Sequence, residues 1–207
     1  MTMEPSDVAI AILAAGRSSR FGGVKLLAPL AGRPLALHAI DAARSSGVGS
    51  VLVVVDAQHD ELWRVLPADV TLVLNPHAEE GIASSLRAAL AHLSGNARVG
   101  AVCIGLADQP RIGAASYQRL AHERRAGAAL AAATYAGERR NPVLLGSEHW
   151  PAALALRGDE GARQLMRTLP VAEVPCDGTG DPFDVDSTAD LVEIERRLGG
   201  LREESSA

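Results

Sequence analysis

The sequence predicts an α/β fold of three layers, a mostly parallel sheet with helices on both faces. Three observations predict it. Apolar, β-rich runs alternate with helix-patterned segments along most of the 207 residues. Those runs are unbroken rather than alternating, as strands buried on both faces must be. Apolar residues make up 47% of the chain and aromatics only 3%, so a full core is available and is built from Ala, Val, Leu and Ile. The length suits one domain over residues 1–207, with an ordered core over about 8–198 and a polar C-terminal tail.

The elements follow in order. Residues 8–13 form the first strand and end at a glycine-bearing loop. A helix over 34–46 has Pro34 in its first turn and Gly47 past its end. Strands are expected at 51–55 and 70–74, with a short helix over 61–66 closed by Pro67. Residues 81–93 carry Ile82, Leu86, Ala89, Leu90 and Leu93 at helical spacing. A fourth apolar run, 101–106, ends at Asp108, and a helix over 114–125 follows. Further strands are expected at 128–135, 142–145 and 171–175, and helices at 161–169 and 188–198. In such sheets ligands bind beyond the carboxyl ends of the strands. That rule points to the loops after Leu13, Leu74 and Leu106.

Composition narrows the partners. Few aromatics and a net charge of -5 argue against a nucleic-acid platform, which would be basic and carry exposed rings. Cys103 and Cys176 give neither a disulfide framework nor zinc spacing. The first residues lack the basic region of a secretory signal, and no apolar run is long enough for a bilayer. A soluble cytoplasmic protein without membrane contact is expected.

The first loop holds the strongest chemical signal. Gly16, Gly22 and Gly23 permit close backbone approach, Ser18 and Ser19 offer hydroxyls, and Arg17, Arg20 and Lys25 supply cations. A polyphosphate requires that combination. An ordinary βα turn with solvated arginines fits the loop too. Lys25 is the only lysine among 20 Lys and Arg residues, which is compositional drift or a position that needs a compact ammonium. Val24 separates Gly23 from Lys25, so the loop is no P-loop, and it has no G-x-G-x-x-G.

Other loops add groups to the same crevice. Asn75-Pro76, Gly81 and Ser84-Ser85 surround a helix start whose amides could meet an anion, or be ordinary capping. Asp108 ends a buried strand, and a carboxylate there suits Mg²⁺ shared with phosphate oxygens and water, or a plain turn. Arg139-Arg140-Asn141-Pro142 combines cations with a turn and could meet an acceptor phosphate or pterin. Asp159 reads as the cap of the helix after it. Asp184 and Asp186, taken as a strand, share a face and repel unless a cation relieves them.

The pattern L-A-A-G-x-S-x-R-x-G-x-x-K, here Leu13-Ala14-Ala15-Gly16, Ser18, Arg20, Gly22 and Lys25, resembles the signature of the MobA-like nucleotidyltransferases. Within that family the chain is most similar to the molybdenum cofactor cytidylyltransferases. The resemblance runs from about residue 8 to 198 and implies a Rossmann-like nucleotidyltransferase fold. It implies transfer of CMP from CTP to the terminal phosphate of a molybdopterin-type acceptor, with Mg²⁺ as cofactor and release of pyrophosphate. A molybdoenzyme or its chaperone is the implied partner. Leu13, Ala14, Ala15, Gly16, Arg20, Lys25, Asn75, Gly81, Ser84, Ser85 and Asp108 are the implied nucleotide site. Arg20, Lys25 and Asp108 are the implied catalytic groups, with Asp108 and Asp186 as metal ligands. Arg140, Asn141 and Pro142 are the implied acceptor contacts. The family segment there is usually Gly-Asn-Pro, so Arg140 departs from it, as Ser187, Thr188 and Ala189 depart from D-x-D-T-P-E-D-L. GTP-using relatives carry Leu-Ala-Gly-Gly; the extra methyl of Ala15 would crowd a purine and favours CTP. A sugar, polyol or phospholactate acceptor, or a non-catalytic accessory role for a molybdoenzyme, shares the same first loop.

Overall fold

The computed structural model describes residues 7–16 and 25–204, with side chains through residue 197. Seven strands make one sheet: β1 (Asp7–Leu13), β4 (Val51–Asp56), β5 (Thr71–Asn75), β6 (Val99–Leu106), β7 (Leu130–Tyr135), β8 (Glu138–Gly146) and β9 (Ala172–Pro175). A small hairpin supplies β2 (Pro29–Leu30) and β3 (Arg33–Pro34). The helices are α1 (Leu35–Ser45), α2 (Ile82–Leu93), α3 (Ala114–Arg125), α4 (Trp150–Leu154) and α5 (Thr188–Glu204). The sheet order is β5-β4-β1-β6-β8-β7-β9, and β8 alone runs antiparallel to its neighbours.

Alternating residues of β1 show why its sequence is unbroken. Ile10 and Ile12 enter the core that α1 and α3 cover, with Ile40 and Leu120. Ala9, Ala11 and Leu13 enter the opposite core, with Leu86, Leu90 and Trp150. Both faces are buried, so neither register position tolerates a polar side chain. A third, small core joins Leu30 and Leu35 to Val185 and Ile194, and it docks the chain before α5 onto the hairpin.

Several local expectations differ from the structure. The helix expected over 61–66 is a single 3-10 turn, Trp63–Val65, and that over 161–169 is a 3-10 helix, Ala162–Arg167. Both close i to i+3 bonds, from Leu66 N–H to the Trp63 carbonyl in the first and from Gln164 N–H to the Gly161 carbonyl in the second. The last helix runs on past Leu198 to Glu204, because Gly199 and Gly200 weaken a helix but do not break it as proline would. The hairpin turns through Ala31 and Gly32, both at positive φ (49° and 79°), and alanine hides this turn from a reader of the sequence. Residues 181–186 are irregular, so Asp184 and Asp186 do not share a strand face. Among the described residues no helix is long and apolar enough to cross a membrane.

Candidate active site

The carboxyl ends of β1 and β6 open into a cavity of about 660 Å³, lined in part by Leu13, Ala14, Ala15, Gly16, Ser85 and Asp159. Lys25, Asp108 and Asp186 line it as well. The main chain places the two carboxylates. β6 delivers Asp108 after Ala107, whose N–H donates to the Leu13 carbonyl at 3.1 Å. The Val185 N–H then donates to the Asp108 carbonyl at 2.9 Å, which draws the 184–186 segment onto that loop. Val185 itself is fully buried.

Asp186 is fixed from its other side by the start of α5. The Asp190 carboxylate accepts from the N–H groups of Asp186 and Ser187, at 2.9 and 2.7 Å, and the Ser187 hydroxyl accepts from the Asp190 N–H at 3.2 Å. The last two bonds form a capping box, so the cap survives the missing threonine and proline through Ser187.

Lys25 closes the pair. Its ammonium donates to Asp108 at 2.8 Å and to Asp186 at 3.2 Å, and the residue is only 8% exposed. Burial alone would lower its pKa. The charges and hydrogen bonds of Asp108, and then of Asp186, outweigh burial and hold it above the ordinary lysine value. Asp184 turns elsewhere and accepts a 2.9 Å bond from the Gln109 amide. Burial, then the charges of Asp108 and Asp186, push its carboxyl above the usual range despite that bond.

Asn75 and Ser84 stand behind the cavity wall rather than in it. The Asn75 amide donates to Ser84 and Ser85 at 2.8 and 3.1 Å, and its oxygen accepts from the His77 N–H at 2.9 Å. Its role is to clamp the β5 turn to α2, leaving Ser85 to face the cavity. The amides at the start of α2 are partly taken, because Ala83 N–H donates to the Gly158 carbonyl and Ser84 N–H to that of Gly81. Ala14 N–H is likewise used, by the Val54 carbonyl. Gly81 has φ +90°, and a Cβ there would lie 2.5 Å from the Gly158 carbonyl oxygen and 2.6 Å from the Asp159 carboxylate. Its glycine serves close approach of two loops.

A second cavity, about 880 Å³, adjoins the first through Leu13, Ile82, Leu106 and Asp159. Arg139 and Asn141 line it on one side, and Arg163 and Arg167 on the other. Of the expected acceptor contacts, Asn141 reaches it. Arg140 and Pro142 are not among its lining residues, since Arg140 is ion-paired with Glu138 and Arg139 occupies the facing position. Arg140 pairs with Ala133 beside a register shift in the strand pair and a cis Asn141–Pro142 peptide, and it does not itself adopt a positive φ that would call for glycine. Asp159 makes no capping bond to the helix after it, Ala162–Arg167, whose N-cap is Gly161, and instead sits where the cavities meet. Residues 159–163 line the second cavity too; their segment, Gly158 to Arg163, resembles the family's G-D-x-G-A-R and is, beside Asn141-Pro142, the part of the sequence that bears on the acceptor. Arg17, Ser18, Ser19, Arg20, Gly22 and Gly23 lie outside the described residues.

Two carboxylates lining one cavity suit a divalent metal that completes its shell with phosphate oxygens and water. The ammonium between them shows that the pair accommodates a cation. Among the described residues no group of three His, Cys, Asp or Glu side chains converges to hold a metal by protein ligands alone.

Comparison with known proteins bears on the family and the fold. Residues 10–174 match the model of the MobA-like NTP transferase domain. The chain is 28% identical over 197 residues to the purine catabolism protein PucB of Bacillus subtilis, covering 90% of this chain and 95% of that one. It is 37% identical over 121 residues to the bifunctional protein GlmU of Trichlorobacter lovleyi, and the match spans 57% of this chain but only 26% of GlmU. Among solved structures, Rv0371c of Mycobacterium tuberculosis superposes with a TM-score of 0.82 at 26% identity, over 93% of this chain and 98% of that one. A manganese complex of Rv0371c gives 0.79 at 24% identity, over 92% and 98%. Molybdopterin-guanine dinucleotide biosynthesis protein A of Archaeoglobus fulgidus shares the fold, with a TM-score of 0.69 at 16% identity over 93% and 99%.

Proposed function

The chain belongs to the MobA-like NTP transferase family, and from that premise we propose that it transfers CMP from CTP to the terminal phosphate of a molybdopterin-type acceptor. The observation that carries the reading is the Lys25 ammonium set between Asp108 and Asp186 at the mouth of the Leu13–Gly16 cavity. An oxygen of the acceptor's terminal phosphate bonds to the α-phosphorus of CTP, and the bond from that phosphorus to the pyrophosphate oxygen breaks. The attacking oxygen is already an anion, so no protein nucleophile is needed. Catalysis is then positioning plus neutralisation of charge.

Each group has a task in this scheme. The first cavity takes the nucleotide, with Ala15 limiting the space for the base and favouring cytosine. Lys25, joined by Arg20, neutralises the triphosphate as pyrophosphate leaves. Asp108 and Asp186 would hold Mg²⁺, which supplies Lewis-acid neutralisation of the phosphates. The manganese complex of Rv0371c supports the use of a divalent ion. In the second cavity, Ile82, Leu106, Val143 and Met166 offer apolar surface to a ring system, and Asn141 and Arg163 offer polar contacts to its anionic end. A cytoplasmic location and a molybdoenzyme or its chaperone as recipient fit this reading.

Lys25→Ala should keep the fold and lose about 10²–10³ in turnover, the usual effect of removing one preorganised charge stabiliser. Pyrophosphate release, with circular dichroism to check folding, measures it. Turnover near that of the wild type would sink the assignment. Asp108→Asn should abolish divalent-dependent transfer; an unchanged metal requirement would count against Asp108 as a ligand.

A further inference from the structure

Asp108 and Asp186 are held together by the main chain, not by their salt bridges. The Val185 N–H bond to the Asp108 carbonyl and the Asp190 bond to the Asp186 N–H fix both backbones. Two like charges so fixed need a cation between them, and Lys25 supplies it from a buried position. Lys25 thus stands where a divalent ion bound by those two carboxylates would stand. The nearby third carboxylate, Asp184, accepts from Gln109.

We infer that Lys25 is a resident counter-ion that excludes free divalent metal, so that the metal enters only as the nucleotide draws the ammonium away. The inference rests on the assignment of Asp108 and Asp186 as metal ligands. In the empty site a divalent ion gains two carboxylates but must evict a buried ammonium, and it finds no third protein ligand of the His, Cys, Asp or Glu type among the described residues. A triphosphate changes both sides of this competition. It offers Lys25 a new anion, and its oxygens complete the metal's shell. The same lysine therefore neutralises carboxylates before nucleotide binds and phosphates afterwards. Metal and nucleotide assemble together, and the bare protein is protected from idle metal occupancy.

Because the main chain sets the carboxylate positions, removing Lys25 leaves the pair in place and without its counter-ion. Manganese binding to the nucleotide-free protein, followed by electron paramagnetic resonance, reads this directly. Lys25→Met should bind Mn²⁺ at least tenfold more tightly than the wild type, and Mn²⁺ should raise its melting temperature by more. Adding α,β-methylene-CTP should tighten Mn²⁺ binding to the wild type and narrow the gap between the two proteins. Lys25→Gln provides a second neutral variant of different shape, and the melting shift reads metal binding even if either variant is less stable. Equal or weaker Mn²⁺ binding by both variants would overturn the inference. Adding Asp108→Asn to Lys25→Met should remove the gain. If it does not, the metal-ligand assignment itself fails, a result distinct from failure of the counter-ion role.

Discussion

Lys25 and Gly81 show how single positions set the chemistry of the cavity. Lysine at position 25 meets two carboxylates with a single compact ammonium from within the wall. The resemblance gathers Lys25, Asp108 and Asp186 into one site, but the sequence does not give the ion pairs among them, because Asp108 and Asp186 lie 83 and 161 residues from Lys25 along the chain. Gly81 acts through its missing side chain. Gly81→Ala forces a Cβ toward the Gly158 carbonyl and requires of alanine a positive φ with extended ψ, a region that glycine almost alone adopts. It should destabilise the protein by about 1–3 kcal/mol, in the manner of overpacking, and shift the Asp159 loop that joins the two cavities. Thermal melting together with KM for the nucleotide checks this. An unchanged melting temperature would show that the loops do not need this approach.

The elements that carry the site differ in how openly the sequence states them. β4 and β6 are read almost to the residue, since a strand buried on both faces is a continuous apolar run. The first half of β8, Glu138 to Asn141, is polar, and Arg139-Arg140-Asn141-Pro142 reads as a turn in the sequence, yet the strand pairs with β7 through Arg139 and Arg140. Periodicity at six residues cannot separate a 3-10 from an α-helix, which hid the form of the Ala162–Arg167 segment. The start of α5 is legible as Ser-x-x-Asp, and its consequence for Asp186 is visible only in three dimensions. Ser187→Ala should cost about 1 kcal/mol of stability, the typical value of an N-cap, and weaken metal binding through Asp186.

Acid should loosen the same helix first. The Ser187 hydroxyl and the amides of Asp186 and Ser187 hold the Asp190 carboxyl below its usual value. Arg196 and Arg197 hold Glu193 down to about 2. A carboxylate depressed in the folded state stabilises above its unfolded pKa of about 4 and loses that contribution as pH falls through the lower folded value. Asp184 is raised, so its protonation in mild acid works in the opposite sense and relieves the crowding beside Asp108. Amide exchange across 187–197 should therefore rise between pH about 4 and about 2, ahead of exchange in the sheet. Simultaneous loss of both would contradict this order.

At the scale of the whole molecule, the sheet order explains why distant loops converge. β1 lies between β4 and β6, so the loops after β1 and β6 share one edge of the sheet, and the turn after β5 is clamped to α2 on the same side. That much follows from a parallel reading of the strands and the rule that ligands bind beyond their carboxyl ends. What the strands could not reveal is the second cavity, because Arg139, Asn141 and Arg163 reach it from β8 and from a 3-10 helix that carries no pattern of its own.

The most direct test of the account is pyrophosphate release by the full chain with each of the four ribonucleoside triphosphates, with and without a molybdopterin-type acceptor, in Mg²⁺. The account predicts release from CTP that depends on the acceptor and is lost in Lys25→Ala and Asp108→Asn. Release that needs neither residue, or none with any triphosphate and a competent acceptor, would contradict it.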